Sequence, residues 1–353
     1  MSDTIDDLRI VEITPLTKPA DIIAEIPRNT DVSKTVTSNR DAIHQILRGE
    51  DDRLIVVIGP CSIHDPVAAR DYAARLTEQR QRFAGDLEIV MRVYFEKPRT
   101  TVGWKGLMND PHLDGSYRIE EGLRIARRLL LDINAMGLPT GVEFLDTITP
   151  QYIADLVSWG AIGARTTESQ IHRQLASGLS CPIGFKNGTD GGVRVALDAI
   201  LAASQPHHFP AVTKDGQAAI ASTTGNEDCH IILRGGKRPN YEAADVEAVT
   251  NEAVKLAVAP RIIVDASHAN SGKDPMNQPI VVKSVAAQIA AGNNDIRGMM
   301  IESNLVAGRQ DLVPGKPLVY GQSITDGCID WDMSVAVLDD LAKAARERRT
   351  ATA

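Results

Sequence analysis

Residues 54–83, LIVVIGPCSIHDPVAARDYAARLTEQRQRF, place a short apolar run directly before a longer segment of helical character. The run LIVVIG (54–59) is hydrophobic on both faces, as expected of a strand buried in a parallel sheet. Residues 66–83 follow it after a polar turn and have the length of a globular helix. This stretch therefore predicts one βα unit.

The same unit repeats along the chain. The predicted strands span residues 54–59, 88–93, 139–144, 160–164, 181–186, 230–235, 261–266 and 297–302. The predicted helices cover 66–83, 117–136, 150–158, 168–178, 193–204, 242–257, 277–291 and about 332–348. Eight parallel strands, each followed by a helix, close a (β/α)8 TIM barrel. We therefore predict an α/β protein of this class.

Two segments fall outside the repeat. Residues 1–50 contain three prolines and a helix predicted from about Ser38 to Arg48, which Gly49 ends, so they form an N-terminal extension before a barrel over 51–353. Residues 207–228 hold two short runs around an Asp-Gly turn, which predicts a small β-hairpin inserted before the sixth strand.

Composition excludes several classes of protein. The chain has 353 residues with 46 acidic and 38 basic side chains, and its net charge of −8 argues against nucleic acid as a partner. No apolar run reaches the ~18 residues of a membrane span. The start, MSDTIDDLRIVE, lacks the pattern of a signal peptide. Four scattered cysteines without a CxxC pair indicate reduced thiols. We expect a soluble, cytoplasmic protein that binds no membrane.

Cationic side chains accumulate where the predicted strands end, which is the end of a TIM barrel that carries the chemistry. They are Arg92, Lys97, Arg99, Lys105, Arg165, Lys186 and Arg234. Any one of them could form an ordinary surface ion pair, but seven at one mouth predict an anionic ligand. The turn Gly163-Ala164-Arg165 leads into a helix, whose free N–H groups suit a phosphate. There is no Walker A or GxGxxG motif to indicate a nucleotide.

Coordinating side chains fall at the same end of the predicted barrel. They are Cys61, His268, Glu302 and Asp326. Taken singly, Cys61 is more often a small buried hydrophobe and His268 an ordinary hydrogen-bonding residue. A thiolate, an imidazole and two carboxylates together suit a first-row transition ion better than magnesium, which prefers oxygen ligands.

Seven strings resemble the bacterial type I 3-deoxy-D-arabino-heptulosonate 7-phosphate (DAHP) synthases that aromatic amino acids regulate. They are IGPCSIHDP (58–66), MRVYFEKPRTTVGWKG (91–106), IGARTTESQ (162–170), PIGFKNGTDG (182–191), HIILRGGKRPNY (230–241), DASHAN (265–270) and YGQSITDGC (320–328). The resemblance runs from residue 5 to 348. It implies a TIM barrel that condenses phosphoenolpyruvate with erythrose 4-phosphate and water and releases phosphate, the first step of the shikimate pathway.

The resemblance also implies a role for each matching residue. One divalent transition metal ion per subunit (Mn²⁺, Fe²⁺, Co²⁺ or Zn²⁺) is expected on Cys61, His268, Glu302 and Asp326. Phosphoenolpyruvate is expected on Arg92, Lys97, Lys105, Glu143, Gly163, Ala164, Arg165, Lys186 and Arg234. Erythrose 4-phosphate is expected on Pro98, Arg99 and Thr100. Catalytic roles are implied for Lys97, Glu143, Cys61 and His268.

Regulation is a further implication of the resemblance. The extension over 1–50 is expected to be regulatory and to reach a neighbouring subunit of a homodimer or homotetramer. The inhibitor pocket is expected to involve Asp6, Asp7, Ile10, Asp146, Thr147, Pro150, Gln151, Leu179, Ser180 and Phe209. Pro150, where a tryptophan-sensitive enzyme would have glycine, argues against that type. The segment Asp6-Asp7-Leu8-Arg9-Ile10 resembles the phenylalanine-sensitive branch, so phenylalanine is favoured over tyrosine. Thr147 departs from that branch, which often carries methionine at this position.

Three other interpretations stay open. The related octulosonate 8-phosphate synthases use arabinose 5-phosphate, although Lys97-Pro98-Arg99-Thr100 favours the heptulosonate enzyme. A Schiff-base aldolase would use Lys186 as its nucleophile and need no metal. A non-catalytic relative would only bind an aromatic amino acid, but it should have lost a ligand or a substrate cation, and none is lost.

Overall fold

Eight parallel strands close into a barrel in the computed structural model, which describes residues 5–313 and 315–352. The barrel strands are β1 (Leu54–Gly59), β2 (Leu87–Arg92), β3 (Thr140–Glu143), β4 (Trp159–Ile162), β5 (Ile183–Lys186), β8 (His230–Leu233), β9 (Ile262–Asp265) and β10 (Ile296–Glu302). Each pairs in parallel with its neighbour along the chain, and β1 closes the ring against β10. The predicted TIM barrel is confirmed, with strand bounds within two residues of those expected.

Helices follow the strands and pack outside them. They are α3 (Pro66–Arg82), α4 (Ile119–Ala135), α5 (Pro150–Ile153), α6 (Gln170–Gly178), α7 (Arg194–Ala203), α8 (Ala243–Lys255), α9 (Gln278–Ala290) and α10 (Trp331–Thr352). Single 3-10 turns extend α5 at Ala154–Leu156 and precede α9 at Pro275–Asn277. The helix predicted over 150–158 is thus reduced to two short turns. The bounds of the other predicted helices agree with the observed ones to within a few residues.

The N-terminal extension contains two helices, α1 (Pro19–Glu25) and α2 (Thr30–Arg48). The prediction that α2 begins near Ser38 is wrong, because the Asn29 side chain accepts a hydrogen bond from Val32 N (2.8 Å) and caps the helix nine residues earlier. The helix ends where expected, at Gly49, whose φ of 80° is readily adopted only by glycine.

The C-terminal half of α2 closes the N-terminal end of the barrel. Its side chains Ile43, Ile46 and Leu47 are at most 1% exposed and belong to the same cluster as the residues inside the barrel. One end of the barrel is therefore plugged by apolar side chains. The opposite end, where the strands terminate, is left for ligands.

Residues 208–222 form the predicted hairpin. Strand β6 (His208–Val212) pairs antiparallel with β7 (Ala218–Ser222), and Gly216 adopts φ 74° in the turn between them. The hairpin is separate from the barrel sheet and half exposed. Among the residues that the structure describes, no helix is both long and apolar enough to cross a membrane.

Arg127 of α4 links the extension to the barrel and should be important for stability. It is fully buried, donates to both carboxylate oxygens of Asp155 (2.6 and 3.0 Å), and also donates to the carbonyl of Ile26 (2.9 Å). We expect Arg127→Met to lower the free energy of unfolding by about 3 kcal/mol, because it breaks a largely buried ion pair and removes the donor to the Ile26 carbonyl, while Asp155 keeps only its contact with Arg28 among the described residues. Urea unfolding would measure this, with the exposed neighbour variant Arg128→Met as the control. Equal stabilities of the two variants would contradict the expectation.

Candidate active site

A cavity opens at the C-terminal ends of the barrel strands. Its lining includes six of the seven predicted cations, namely Arg92, Lys97, Arg99, Arg165, Lys186 and Arg234. Pro98, Glu143, Gly163, Ala164, His268 and Asp326 line it as well. Six cations therefore face two carboxylates, and the excess of positive charge suits an anionic ligand. The barrel topology alone brings these residues together, since they are spread over more than 230 positions of the chain.

Arg92 is fixed at the floor of this cavity. It is 1% exposed, and its Nε and Nη2 donate to the carbonyls of Pro60 and Cys61 (3.1 Å each). Its guanidinium lies 3.5 Å from the centre of the Tyr94 ring. These contacts fix the orientation of the buried guanidinium. A guanidinium fixed in this way favours bidentate contact with a carboxylate or a phosphate.

Gly163 and Glu143 meet at the ends of β4 and β3. A Cβ atom built on Gly163 would lie 2.3 Å from Glu143 Oε1, so any larger residue there would displace the Glu143 carboxylate. That same oxygen is buried and receives no hydrogen bond from the described part of the chain. A buried acceptor without a donor is costly, which indicates that a ligand or a water hydrogen-bonds to it.

Asp265 joins two of the predicted site residues. Its fully buried carboxylate accepts from Lys186 Nζ (2.9 Å) and lies 2.9 Å from His268 Nδ1. Burial alone would raise its pKa, but the charges of Lys186 and His268 hold that pKa well below the usual range. Lys186 Nζ is engaged in this buried ion pair, which disfavours its use as a Schiff-base nucleophile.

Three of the four predicted metal ligands come together beneath the cavity. One ligand atom each from Cys61, Glu302 and Asp326 lies within 4.8 Å of the other two. Glu302 Oε1 is buried and, although 3.0 Å from Arg92 Nη2, accepts no hydrogen bond from the described residues. Thiol and carboxylate donors around an unsatisfied oxygen fit a divalent transition ion. His268 lines the same cavity but does not join this group.

Lys97 stands between this group and the cavity. Its Nζ lies 3.1 Å from Cys61 Sγ and 4.0 Å from an Asp326 carboxylate oxygen. Burial would lower its pKa, but the charges of Cys61 and Glu302 raise it instead. Burial, followed by the Glu302 charge, raises the pKa of the Cys61 thiol to about 11. A bound cation would favour the thiolate form of Cys61.

Two predicted substrate residues lie outside the cavity lining. Lys105 is exposed, and its carbonyl accepts from Lys97 N (2.9 Å), while Thr100 is exposed at the tip of the same loop. Their roles stay predictions. Thr189 and Thr325 line the cavity although sequence reasoning did not select them. Both lie in the quoted strings, in NGTDG and SITD, which is the signal that could have identified them.

A second cavity of about 620 Å³ lies between the hairpin and helices α5 and α6. It is lined by six of the predicted regulatory residues, namely Thr147, Pro150, Gln151, Leu179, Ser180 and Phe209. Asp146 begins the turn that forms one wall, where its Oδ1 accepts from Ile148 N (2.6 Å). Asp6, Asp7 and Ile10 are exposed and do not line the cavity within a single chain.

Known proteins resemble this chain in sequence and in fold. The chain is 60% identical over 344 residues to the Phe-sensitive phospho-2-dehydro-3-deoxyheptonate aldolase of Escherichia coli K12, covering 98% of each chain. It is 55% identical over 343 residues to the Trp-sensitive enzyme of Enterobacter agglomerans, covering 97% of this chain and 99% of the relative. The solved phospho-2-dehydro-3-deoxyheptonate aldolase of Francisella tularensis SCHU S4 matches with a TM-score of 0.94 and 52% identity, over 96% of this chain and 99% of the other.

Fold and site thus define a TIM-barrel enzyme of anionic substrates. The DAHP synthetase I family matches residues 27–339, which is most of the chain. The chain belongs to the DAHP synthetase I family.

Proposed function

We propose that the chain condenses phosphoenolpyruvate with D-erythrose 4-phosphate and water to give DAHP and inorganic phosphate, the first step of the shikimate pathway. Family membership supports this 3-deoxy-7-phosphoheptulonate synthase activity. The observation that carries the proposal is the cavity in which six cations surround a site next to the Cys61, Glu302 and Asp326 group. The two substrates bring roughly five negative charges, because each phosphate carries nearly two at neutral pH.

The cations divide between the two substrates by position. Arg92, Lys186 and Arg234 rise from the ends of β2, β5 and β8, deep in the barrel mouth, and suit phosphoenolpyruvate. Arg165 and the amide of Ala164 offer donors for its phosphate. Arg99 is exposed on the outer loop, where it suits the phosphate of the longer erythrose 4-phosphate. We also propose that Lys105 binds phosphoenolpyruvate and that Pro98 and Thr100 bind erythrose 4-phosphate.

One divalent transition ion per subunit would be held by Cys61, Glu302 and Asp326, with His268 as the fourth ligand. When bound, such an ion supplies Lewis acidity at the aldehyde oxygen of erythrose 4-phosphate. Imidazole, thiolate and carboxylate ligands together accept Mn²⁺, Fe²⁺, Co²⁺ and Zn²⁺.

The protein's own side chains handle the protons. A bond forms between C3 of phosphoenolpyruvate and the aldehyde carbon, and the aldehyde oxygen takes a proton from the Lys97 ammonium, which lies beside the ligand group. Water adds to C2 while the Glu143 carboxylate, whose Oε1 is free to accept, takes a proton from it. The C2–O bond then breaks, phosphate leaves, and the hydroxyl at C2 loses its proton to give the ketone. Positioning of both anions supplies much of the rate.

Regulation by an aromatic amino acid is the second part of the proposal. The cavity next to the hairpin offers the Phe209 ring and the Leu179 side chain to an aromatic ring and the Lys214 ammonium to a carboxylate. Relatives are named Phe-sensitive and Trp-sensitive. The similarity of the segment over 6–10 to phenylalanine-sensitive enzymes favours phenylalanine over tyrosine, and Pro150 argues against the tryptophan-sensitive type.

We also propose that Asp6, Asp7 and Ile10 complete this cavity from a neighbouring subunit of a homodimer or homotetramer, in the cytoplasm. In a single chain the segment leaves apolar side chains in water, with Leu8 71% exposed and Val11 fully exposed. Such a row of exposed apolar residues is typical of a surface that another chain covers. We further propose that residues 1–50 form a regulatory extension and that residues 51–353 form the catalytic barrel.

Phe209→Ala should weaken inhibition by L-phenylalanine about tenfold, because the ring that faces the ligand is lost. The inhibitor concentration that halves the rate of phosphate release would be compared in the wild type and the variant. Ile220→Ala is the matched control, since Ile220 lies on the same hairpin, is 79% exposed and does not line the cavity. Unchanged inhibition of Phe209→Ala would contradict the assignment of this cavity.

The catalytic proposal is tested against its alternatives by the choice of acceptor and by chemical trapping. Phosphate release from phosphoenolpyruvate should be fast with erythrose 4-phosphate and slow with arabinose 5-phosphate. Borohydride should leave the activity unchanged, because the paired Lys186 forms no imine. A preference for arabinose 5-phosphate would instead support the octulosonate enzyme, and inactivation by borohydride would support the Schiff-base aldolase.

A further inference from the structure

Arg234 differs from the other deep cations of the active-site cavity in how it is held. The Arg92 guanidinium donates to two backbone carbonyls, and the Lys186 ammonium pairs with Asp265 (2.9 Å). Among the residues that the structure describes, no group accepts a hydrogen bond from the Arg234 guanidinium, and no carboxylate oxygen lies within 4.0 Å of it. The position of Arg234 in the cavity therefore depends on its backbone.

Side-chain amides hold the backbone of Arg234 and Gly235. Strand β8 ends at Leu233, and its regular pairing with both neighbouring strands ends there too. Asn187 Oδ1 accepts from Arg234 N (2.8 Å), and Asn187 Nδ2 donates to the Gly235 carbonyl (3.0 Å). Asn240 Oδ1 accepts from Gly235 N (2.7 Å). Three of the four backbone polar groups of Arg234 and Gly235 are therefore bonded to two asparagine side chains.

A third asparagine, Asn270, connects these two amides to the next strand end. Its Oδ1 accepts from Asn240 N (2.8 Å), and its Nδ2 donates to the carbonyls of Leu233 (3.0 Å) and Asp265 (2.9 Å). Asn240 Nδ2 in turn lies 3.3 Å from Asn187 Oδ1. We call Asn187, Asn240 and Asn270 the amide triad. It joins the ends of β5, β8 and β9, the three strands that bring Lys186, Arg234 and Asp265 to the barrel mouth.

The amide triad lies behind the cavity. Asn187 is fully buried, Asn270 is 3% exposed and Asn240 is half-buried. Within the described part of the chain, the side chains that line the cavity include none of the three. An unpaired donor or acceptor in such a place is costly, so each amide keeps its hydrogen bonds. A network of mutually bonded amides therefore holds the backbone of Arg234 in one arrangement.

We propose that the residues of the amide triad are positioning residues, which place Arg234 through its backbone to bind the anionic groups of phosphoenolpyruvate. The inference rests on the proposed reaction and deepens it. A guanidinium that is placed in advance loses less freedom when the ligand binds, so the triad raises the affinity for this substrate. Erythrose 4-phosphate is proposed to bind Arg99, which belongs to the loop after β2. Its KM should therefore not depend on the triad.

The test is a double-mutant cycle of Asn240→Ala and Arg234→Met. Calorimetry would measure the affinity of the Mn²⁺-loaded protein for phosphoenolpyruvate, and kinetics would measure KM for each substrate. We expect Asn240→Ala to weaken binding of phosphoenolpyruvate about tenfold and to leave KM for erythrose 4-phosphate unchanged. In the Arg234→Met background the same substitution should have no further effect, because the residue through which it acts is gone.

A second variant removes the amide that contacts Arg234 directly. Asn187→Ala takes away the acceptor for Arg234 N and the donor to the Gly235 carbonyl, so it should weaken binding of phosphoenolpyruvate at least as strongly as Asn240→Ala. Asn187 is fully buried, whereas Asn240 is half-buried. Asn240→Ala therefore keeps the test decisive where Asn187→Ala folds poorly.

Asn134→Ala is the matched control for damage to the fold. Asn134 of α4 is fully buried, and its Nδ2 donates to the carbonyls of Leu130 (2.8 Å) and Leu156 (2.9 Å), away from the active-site cavity. Like the triad, it is a buried amide that bonds to backbone carbonyls. Its replacement should lower the stability of the protein and leave the affinity for phosphoenolpyruvate unchanged.

The outcomes distinguish this inference from the proposed reaction. Wild-type affinity for phosphoenolpyruvate in folded Asn240→Ala, or an equal loss in Asn134→Ala, would overturn the role of the triad and leave the reaction intact. Additive losses from Asn240→Ala and Arg234→Met would overturn the route through Arg234. A wild-type protein that neither binds phosphoenolpyruvate nor releases phosphate from it would overturn the proposed reaction and this inference together. The expected result is a loss that is confined to the triad variants and disappears once Arg234 is replaced.

Discussion

Lys97→Met is expected to lower kcat about a thousandfold, because it removes both a proton donor and a preorganised charge from the reacting atoms. Lys97 is 9% exposed, and its ammonium lies 3.1 Å from Cys61 Sγ. Methionine fills a similar volume, so the fold should remain. Steady-state phosphate release would measure kcat, and Mn²⁺ titration would check that the metal group still binds.

The exposed helix residue Lys283 provides the control for this variant. It lies on α9, away from the cavity, and Lys283→Met should keep the full rate. The comparison with Lys105→Met is informative, since Lys105 is predicted to bind phosphoenolpyruvate but does not line the cavity. A loss of less than tenfold for Lys97→Met would remove Lys97 from the chemistry.

Cys61→Ala is expected to weaken metal binding by more than about a hundredfold. Mutation of a residue that only hydrogen-bonds to a metal ligand can already lower metal affinity by about that factor, and Cys61 is itself a proposed ligand. Cys61 is fully buried, and its thiol lies in the group with Glu302 and Asp326. Activity should fall by a similar or larger factor. Bound metal would be counted directly after dialysis by elemental analysis, which gives a result independent of turnover.

Cys229→Ala is the control for the metal prediction. Cys229 is also a buried free cysteine, but it is not part of the ligand group. This variant should bind one metal ion per subunit as the wild type does. Full metal content in Cys61→Ala, or equal losses in both variants, would contradict the proposed centre.

The barrel could be predicted because its local signals agree with one another. LIVVIG at 54–59 is apolar on both faces, short and rich in β-branched residues, which together favour a strand buried on both sides. Once the strands are assigned, topology brings Arg92, Lys186 and Arg234 to one mouth without any knowledge of distance. Local sequence does not decide the start of α2, because Asn29 and Ser38 are both good caps. Val32 and Val36 are buried in the folded chain, and the helix extends over them to Asn29.

The finer features of the site depend on packing that no sequence spacing encodes. The contact of Lys97 Nζ with Cys61 Sγ joins residues 36 positions apart on the loops that follow two different strands. The separation of His268 from the other three candidate ligands is likewise a matter of side-chain position. The composition of the loop over 98–105 also gave no reason to expect that Lys105 lies outside the cavity lining.

The central claim is that this cavity joins phosphoenolpyruvate to erythrose 4-phosphate next to a metal group. The most direct measurement follows inorganic phosphate from both substrates in the purified protein, first as isolated, then with EDTA, then with Mn²⁺ restored. The account predicts release that requires both substrates, stops with the chelator and returns with metal. Release that continues in EDTA, or that occurs without erythrose 4-phosphate, would contradict it.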